Sequence, residues 1–130
     1  MPAGSPKKLA LALHYGADAA YLGPAYFSLR ARDNEFCPDE IKAALDLAHS
    51  QNKKIYLTLN VFARNRKLKP FEKTVQELAA LEPDGFIVSD PGLMSICVEK
   101  APQIERHLSV QANCTNWRSA RFWHESLEIF

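Results

Sequence analysis

The chain has 130 residues, 47% of them hydrophobic and 24% charged, which suits one modest globular unit with a real core. Sixteen Lys and Arg face fifteen Asp and Glu, so a net charge of +1 gives no global field toward nucleic acid or membrane, and any such preference has to be local. No apolar run approaches ~18 residues, which excludes a bilayer-spanning helix in this sequence, and no basic-then-apolar leader pattern is present.

In chain order, Ser5 is placed to cap a helix and Pro6 suits its first turn. Leu9, Ala12 and Leu13 then share one face, and Gly16 is a stop. Ala19-Ala-Tyr-Leu22 reads as a short strand closed by Gly23-Pro24, and residues 25–37 as a long, polar, irregular loop. Pro38-Asp39-Glu40 opens a second helix with the stripe Ile41, Ala44, Leu45 and Ala48. Ile55-Tyr-Leu-Thr-Leu-Asn60 is a strand, residues 64–69 a basic loop, and Phe71, Val75, Leu78 and Ala79 mark a third helix. Phe86-Ile-Val-Ser89 is a short buried strand. Asp90-Pro91 starts a helix carrying Leu93, Met94, Cys97 and Val98, and Pro102 breaks it. The stretch from His107 to Trp117 begins apolar, turns to small amides and hydroxyls, then enters a Trp/Ala/Phe pattern. That is a buried strand, a polar loop and a helix whose Trp117, Ala120 and His124 share a side, with Leu127-Glu-Ile-Phe130 as one further strand.

Strands alternating with helices predict a parallel sheet with helical crossovers. A (β/α)₈ barrel needs ~250 residues, and this chain holds about half of one: strand positions two to six with a stub of the first. The expected fold is therefore α/β, a partial TIM-type (β/α)₈ barrel with parallel strands, truncated at both ends, residues 1–130 forming its single amino-terminal part. An open doubly wound sheet is the alternative. The absence of a GxGxxG or GxxxxGK loop weakens its nucleotide-binding version. Open strand edges predict self-association of such a piece.

In parallel α/β proteins the residues just past the carboxyl ends of strands line the ligand site. Here those are Gly4-Ser5, Ser28 with Arg30 and Arg32, Asn60, Ser89-Asp90, and Gln111 with Asn113. Two arginines two apart would clamp a carboxylate or phosphate, or else sit on a solvated loop. Asp90 is either a helix cap or a site carboxylate, and the candidate proton carrier if one is needed. Gln111 and Asn113 would orient a ligand or satisfy loop backbone. The basic run at 64–69 would touch an RNA backbone or remain a solvated face. His14, His49, His107 and His124 show no metal-ligand spacing, and no HExxH, GxSxG or Cys–His nucleophile signature appears, so no metal site is expected. Cys37, Cys97 and Cys114 form no CxxC pair or disulfide framework, which suggests a reducing cytoplasm.

A run of short motifs carries a resemblance across nearly the whole chain. Pro2-Ala-Gly-Ser5, Tyr15-Gly-Ala-Asp-Ala19, Tyr21-Leu-Gly23, Ser28-Leu-Arg-Ala-Arg32, Asn34-Glu-Phe36, Ser89-Asp-Pro-Gly92 and His107-Leu-Ser-Val-Gln-Ala-Asn113 with Asn116-Trp117 occur in this order. Together they resemble the amino-terminal part of the collagenase-like peptidase family (U32), and the Asn34-Glu-Phe36 and Ser109-Val-Gln-Ala-Asn113 versions are most similar to its tRNA uridine hydroxylation branch.

The resemblance implies a TIM-like barrel and hydroxylation of the tRNA wobble uridine, linked to prephenate and independent of molecular oxygen. It also implies an iron–sulfur cluster whose four cysteines lie beyond residue 130, so no cofactor is expected within this chain. Ser28, Arg30, Arg32, Asn60, Ser89, Gln111 and Asn113 would surround the barrel mouth, with tRNA and a small carboxylate such as prephenate as partners and no membrane. The alternatives are a peptidase, as the family name says, and a non-catalytic anion- or RNA-binding fragment. The chain's length makes activity of this piece alone doubtful.

Overall fold

A computed structural model of the chain describes residues 1–24, 26–28, 36–127 and 129. Among the described residues four strands alternate with five helices: α1 (Pro6–His14), β1 (Ala19–Leu22), α2 (Pro38–His49), β2 (Lys54–Leu59), α3 (Leu68–Ala79), β3 (Gly85–Val88), α4 (Pro91–Lys100), β4 (Arg106–Leu108) and α5 (Trp117–Leu127). Local chemistry sets the helix starts. The Ser5 hydroxyl accepts the Lys8 N–H at 3.4 Å, and the Glu40 carboxylate accepts the Cys37 N–H at 2.8 Å. The latter bond holds the Glu40 carboxyl below its usual range. Pro6, Pro38 and Pro91 each occupy a first helical turn, where the missing N–H costs nothing. Gly16 adopts φ 88° beyond α1, a left-handed stop that suits glycine.

The three pairings of these strands are parallel, and their order among the described residues is β1-β2-β3-β4. A doubly wound sheet reverses its strand order at a switch point. No reversal occurs here, so the sheet is the open, unclosed arc expected of a partial barrel. Ahead of β1, Pro2 pairs with Tyr21 in parallel, the Ala3 N–H donating to Tyr21 O and the Tyr21 N–H to Met1 O, both at 2.9 Å. This is the predicted stub of an earlier strand.

Register divides the side chains between two faces. Leu22, Leu57, Phe86 and Arg106 form one row, and Leu59, Val88 and Leu108 another. These rows face the helices, whose Leu9, Leu13, Ile41, Leu45, Phe71, Val75, Leu93 and Met94 complete the core. Arg106 is buried here and donates to Pro102 O at 3.2 Å and Ile104 O at 3.0 Å. The opposite face carries Tyr21, Tyr56 and Gly85 in one row, then Thr58, Ile87 and His107. At the amino-terminal end of the sheet Asp84 ties three elements together. Its Oδ2 accepts the Ile55 N–H at 2.7 Å and lies 3.0 Å from His49 Nε2 at the end of α2.

The structure departs from the sequence reading in three places. Residues 64–69 are not a loop: a 3₁₀ turn at Asn65–Lys67 runs directly into α3, and Pro70 falls in the first turn, where its lacking N–H has no intrahelical partner to lose. Leu127, read as the start of a strand, is the last residue of α5, while Glu128 and Phe130 lie outside the described residues. Leu127 and Trp123, four residues apart, pack together on the core at helical spacing, and the α5 ring of His124 reaches Ile129 O at 2.8 Å. Within the stretch read as a polar loop, Phe27 and Phe36 are buried, Phe27 standing edge-on to Phe71 at 5.2 Å between ring centroids.

Candidate functional site

Each strand exits on the same rim of the sheet, and the polar residues that follow are neighbours there. The Asn60 amide Nδ2 donates to Gln111 Oε1 at 3.1 Å, linking the end of β2 to the turn after β4. Ser109 Oγ donates to the same Gln111 oxygen. Ser89, buried after β3, donates its hydroxyl to Asn60 O at 3.0 Å. Thr58 donates to Leu22 O at 3.2 Å and lies 3.4 Å from Ser28 Oγ. Bonds between strand ends thus span 29 to 51 positions of the chain, one set centred on Asn60 and Gln111 and the other on Thr58, and such networks orient their members more firmly than isolated pairs do.

The network borders an open cavity of about 800 Å³ on the inner face of the sheet. Among the described residues, Ala3, Gly4 and Lys8 form one side, Tyr21, Tyr56, Ile87 and His107 the floor, and Ser28, Asn60, Ser109 and Gln111 the rim. Its size is that of a small-molecule or single-nucleotide pocket.

Of the residues singled out from the sequence, Ser28, Asn60 and Gln111 meet at this cavity. Ser89 stands behind it and holds Asn60. Asp90 does not line it: Oδ1 accepts the Leu93 N–H at 3.0 Å, which is the helix-cap alternative. Asn113 is exposed and left-handed at φ 52°, ending the 3₁₀ turn Val110–Ala112. Arg30 and Arg32 lie outside the described residues. The inner-face residues Tyr21, Tyr56, Thr58 and His107 were missed as site residues. Their signal was the period-two alternation of the strands, which places every second side chain on the face away from the core.

The cysteines do not assemble a metal centre. Cys37 and Cys114 are exposed, Cys97 is buried, and its thiol is pushed up to about 12 by burial, against a smaller opposing pull from Arg106. Among the described residues no three His, Cys, Asp or Glu side chains are grouped to hold a metal ion. The residues present therefore do not fit an iron–sulfur cluster. Among them, too, no helix is long and apolar enough to cross a membrane.

Comparison with known proteins adds a lineage to this geometry. A model of peptidase family U32 matches residues 4–127. The chain is 47% identical over 124 residues to tRNA hydroxylation protein P of Haemophilus influenzae and 41% identical over 124 residues to the protein of that name from Escherichia coli. Each match takes in 95% of this chain and 27% of the relative. It is 31% identical over 111 residues to the 23S rRNA 5-hydroxycytidine C2501 synthase of Escherichia coli, which takes in 85% of this chain and 16% of that enzyme. The chain thus spans little more than a quarter of the tRNA hydroxylation proteins it matches. No solved structure matches it.

Proposed function

The chain belongs to peptidase family U32, and from that premise we propose that it forms the amino-terminal part of an RNA hydroxylation protein acting on the tRNA wobble uridine. The observation that carries this reading is the convergence of Ser28, Asn60, Ser109 and Gln111 on one cavity rim above an aromatic floor. Amides and hydroxyls held in a network suit the edge of a flipped-out base, and single-stranded loops present such bases. The relatives named for tRNA hydroxylation and for 5-hydroxycytidine synthesis support it.

In this reading the chain's residues bind and orient. Lys8 on the cavity wall, with Arg30 and Arg32, would meet phosphate or a small carboxylate such as prephenate. Strands outside this chain would close the arc into a TIM-type barrel. The protein would work in the cytoplasm, where its RNA is. Ring hydroxylation is a two-electron oxidation, and no residue of this chain is assigned to it. Peptide hydrolysis gains no support from the described site: the Ser89, Thr58 and Ser109 hydroxyls are each donated within the network, and Cys97 is buried in its neutral form.

The test is nucleoside mass spectrometry of tRNA from cells lacking the gene and from cells complemented with it. Wobble nucleosides derived from 5-hydroxyuridine should disappear in the first and return in the second. Unchanged nucleosides in the deletion would overturn the proposal.

A further inference from the structure

The inner face of the sheet holds an aromatic arrangement that the rim amides do not require. Tyr56 on β2 pairs in register with Gly85 on β3. A Cβ on Gly85 would stand 2.9 Å from Tyr56 Cδ1, closer than real Cβ atoms come, and 3.0 Å from Glu105 O, tighter than most. The missing side chain lets the Tyr56 ring lie across β3 and reach His107 on β4. Their ring centroids are 4.8 Å apart with planes at 75°. The Glu105 carboxylate lies 3.2 Å from His107 Nε2, without the geometry of a hydrogen bond. The imidazole thus packs against the Tyr56 ring and lies beside the Glu105 carboxylate, while its side chain stays 33% exposed and lines the cavity.

Gln111 stands above it on the rim. Its Oε1 accepts from the Asn60 amide and the Ser109 hydroxyl, and its Nε2 has no partner among the described residues. The His107 imidazole and the Gln111 side chain therefore border one cavity.

We propose that His107, braced by Tyr56 and Glu105, is the surface on which a planar pyrimidine stacks, while the Gln111 amide donates to a carbonyl oxygen on its edge. This rests on the RNA reading above and assigns the ring contact within it. Stacking on an aromatic face needs a planar π-system, which a nucleobase has and a small carboxylate lacks. The Glu105 carboxylate beside the imidazole repels an anion at that spot, so a carboxylate ligand is directed elsewhere in the cavity. Tyr56 acts through His107 and is a positioning residue.

The experiment measures binding of the whole chain to two seven-nucleotide RNAs, one with a central uridine and one abasic at that position, by fluorescence anisotropy at low salt. The uridine RNA should bind about tenfold more tightly. His107→Ala should erase that ratio and His107→Phe restore it; Tyr56→Ala, which removes the ring that positions His107, should lower it and Tyr56→Phe, which keeps the ring, should recover it, with circular dichroism reporting the fold of each. Gln111→Leu, at an exposed position, tests the same contact and should reduce the ratio even if His107→Ala does not fold. Equal binding of the two RNAs, binding of neither, or a ratio untouched by both His107→Ala and Gln111→Leu would overturn the proposal. Those results leave the tRNA nucleoside assay standing. Unchanged tRNA nucleosides with base discrimination intact would remove the hydroxylation reading alone.

Discussion

The two faces of the sheet are built from alternate residues of the same strands, and they differ in almost everything else. On the helix side Ile55, Leu57, Leu59, Phe86 and Val88 are all at 0% exposure, packed on apolar helix stripes. On the inner side Tyr21, Tyr56, Ile87 and His107 are partly open and border a cavity. A period of two lets one short strand serve stability with one set of side chains and recognition with the other. Substitutions one position apart should therefore have different consequences.

The largest contrast is expected between Phe86 and Ile87. Phe86→Ala empties a fully buried ring site and should cost about 3–5 kcal/mol in urea denaturation. Ile87→Ala, on the partly exposed inner face, should cost no more than about 1 kcal/mol. Equal losses would mean that the inner face is packed like the core, and the comparison would fail.

Gly85→Ala sharpens it at a position that belongs to both faces. The new methyl meets the Tyr56 ring at 2.9 Å and a backbone oxygen at 3.0 Å, and overpacking of this kind costs about 1–3 kcal/mol. The ring should shift off His107, so the variant should lose preference for a uridine RNA beyond what its stability explains. Asp84→Ala is the counterpart without an inner-face role. It strips the acceptor from the Ile55 N–H and from His49, which should lower stability by about 1–3 kcal/mol. Folded protein of this variant should bind RNA as the parent does, as titration at low temperature would show.

The same division explains what was legible from residues alone. Helix stripes such as Ile41, Ala44, Leu45 and Ala48, and caps such as Ser5 and Asp90, are local patterns, and the structure has them where the spacing puts them. The rim cluster was legible because strand ends in a parallel sheet share one side, which brought Asn60 and Gln111 together across 51 positions. The Tyr56–Gly85–His107 arrangement was not, because it depends on which residue of β2 stands opposite the glycine of β3, and register is a tertiary property. Phe27 and Phe36 were hidden for a related reason: neither belongs to a stripe with the helical or strand periodicity that announces a core position. Residues 64–69 misled because their basic side chains look like a solvated loop, whereas Pro70 is compatible with a helix start.

The smallest effect is expected at Asp90, and it tests whether chemistry is confined to the inner face. Its carboxylate accepts the Leu93 N–H at 3.0 Å and so satisfies one of the unpaired donors at the start of α4. Loss of such a cap costs about 1 kcal/mol, and Asp90→Asn, which retains an acceptor, should recover most of it. Neither variant should change the ratio of uridine to abasic RNA binding, because the Asp90 side chain is engaged with its own helix and stands outside the cavity wall. If Asp90→Ala removed that discrimination while its melting temperature fell only slightly, the carboxylate would have a ligand role that the cap geometry hides. The recognition surface would then have to extend from the inner face over the rim to the helix start.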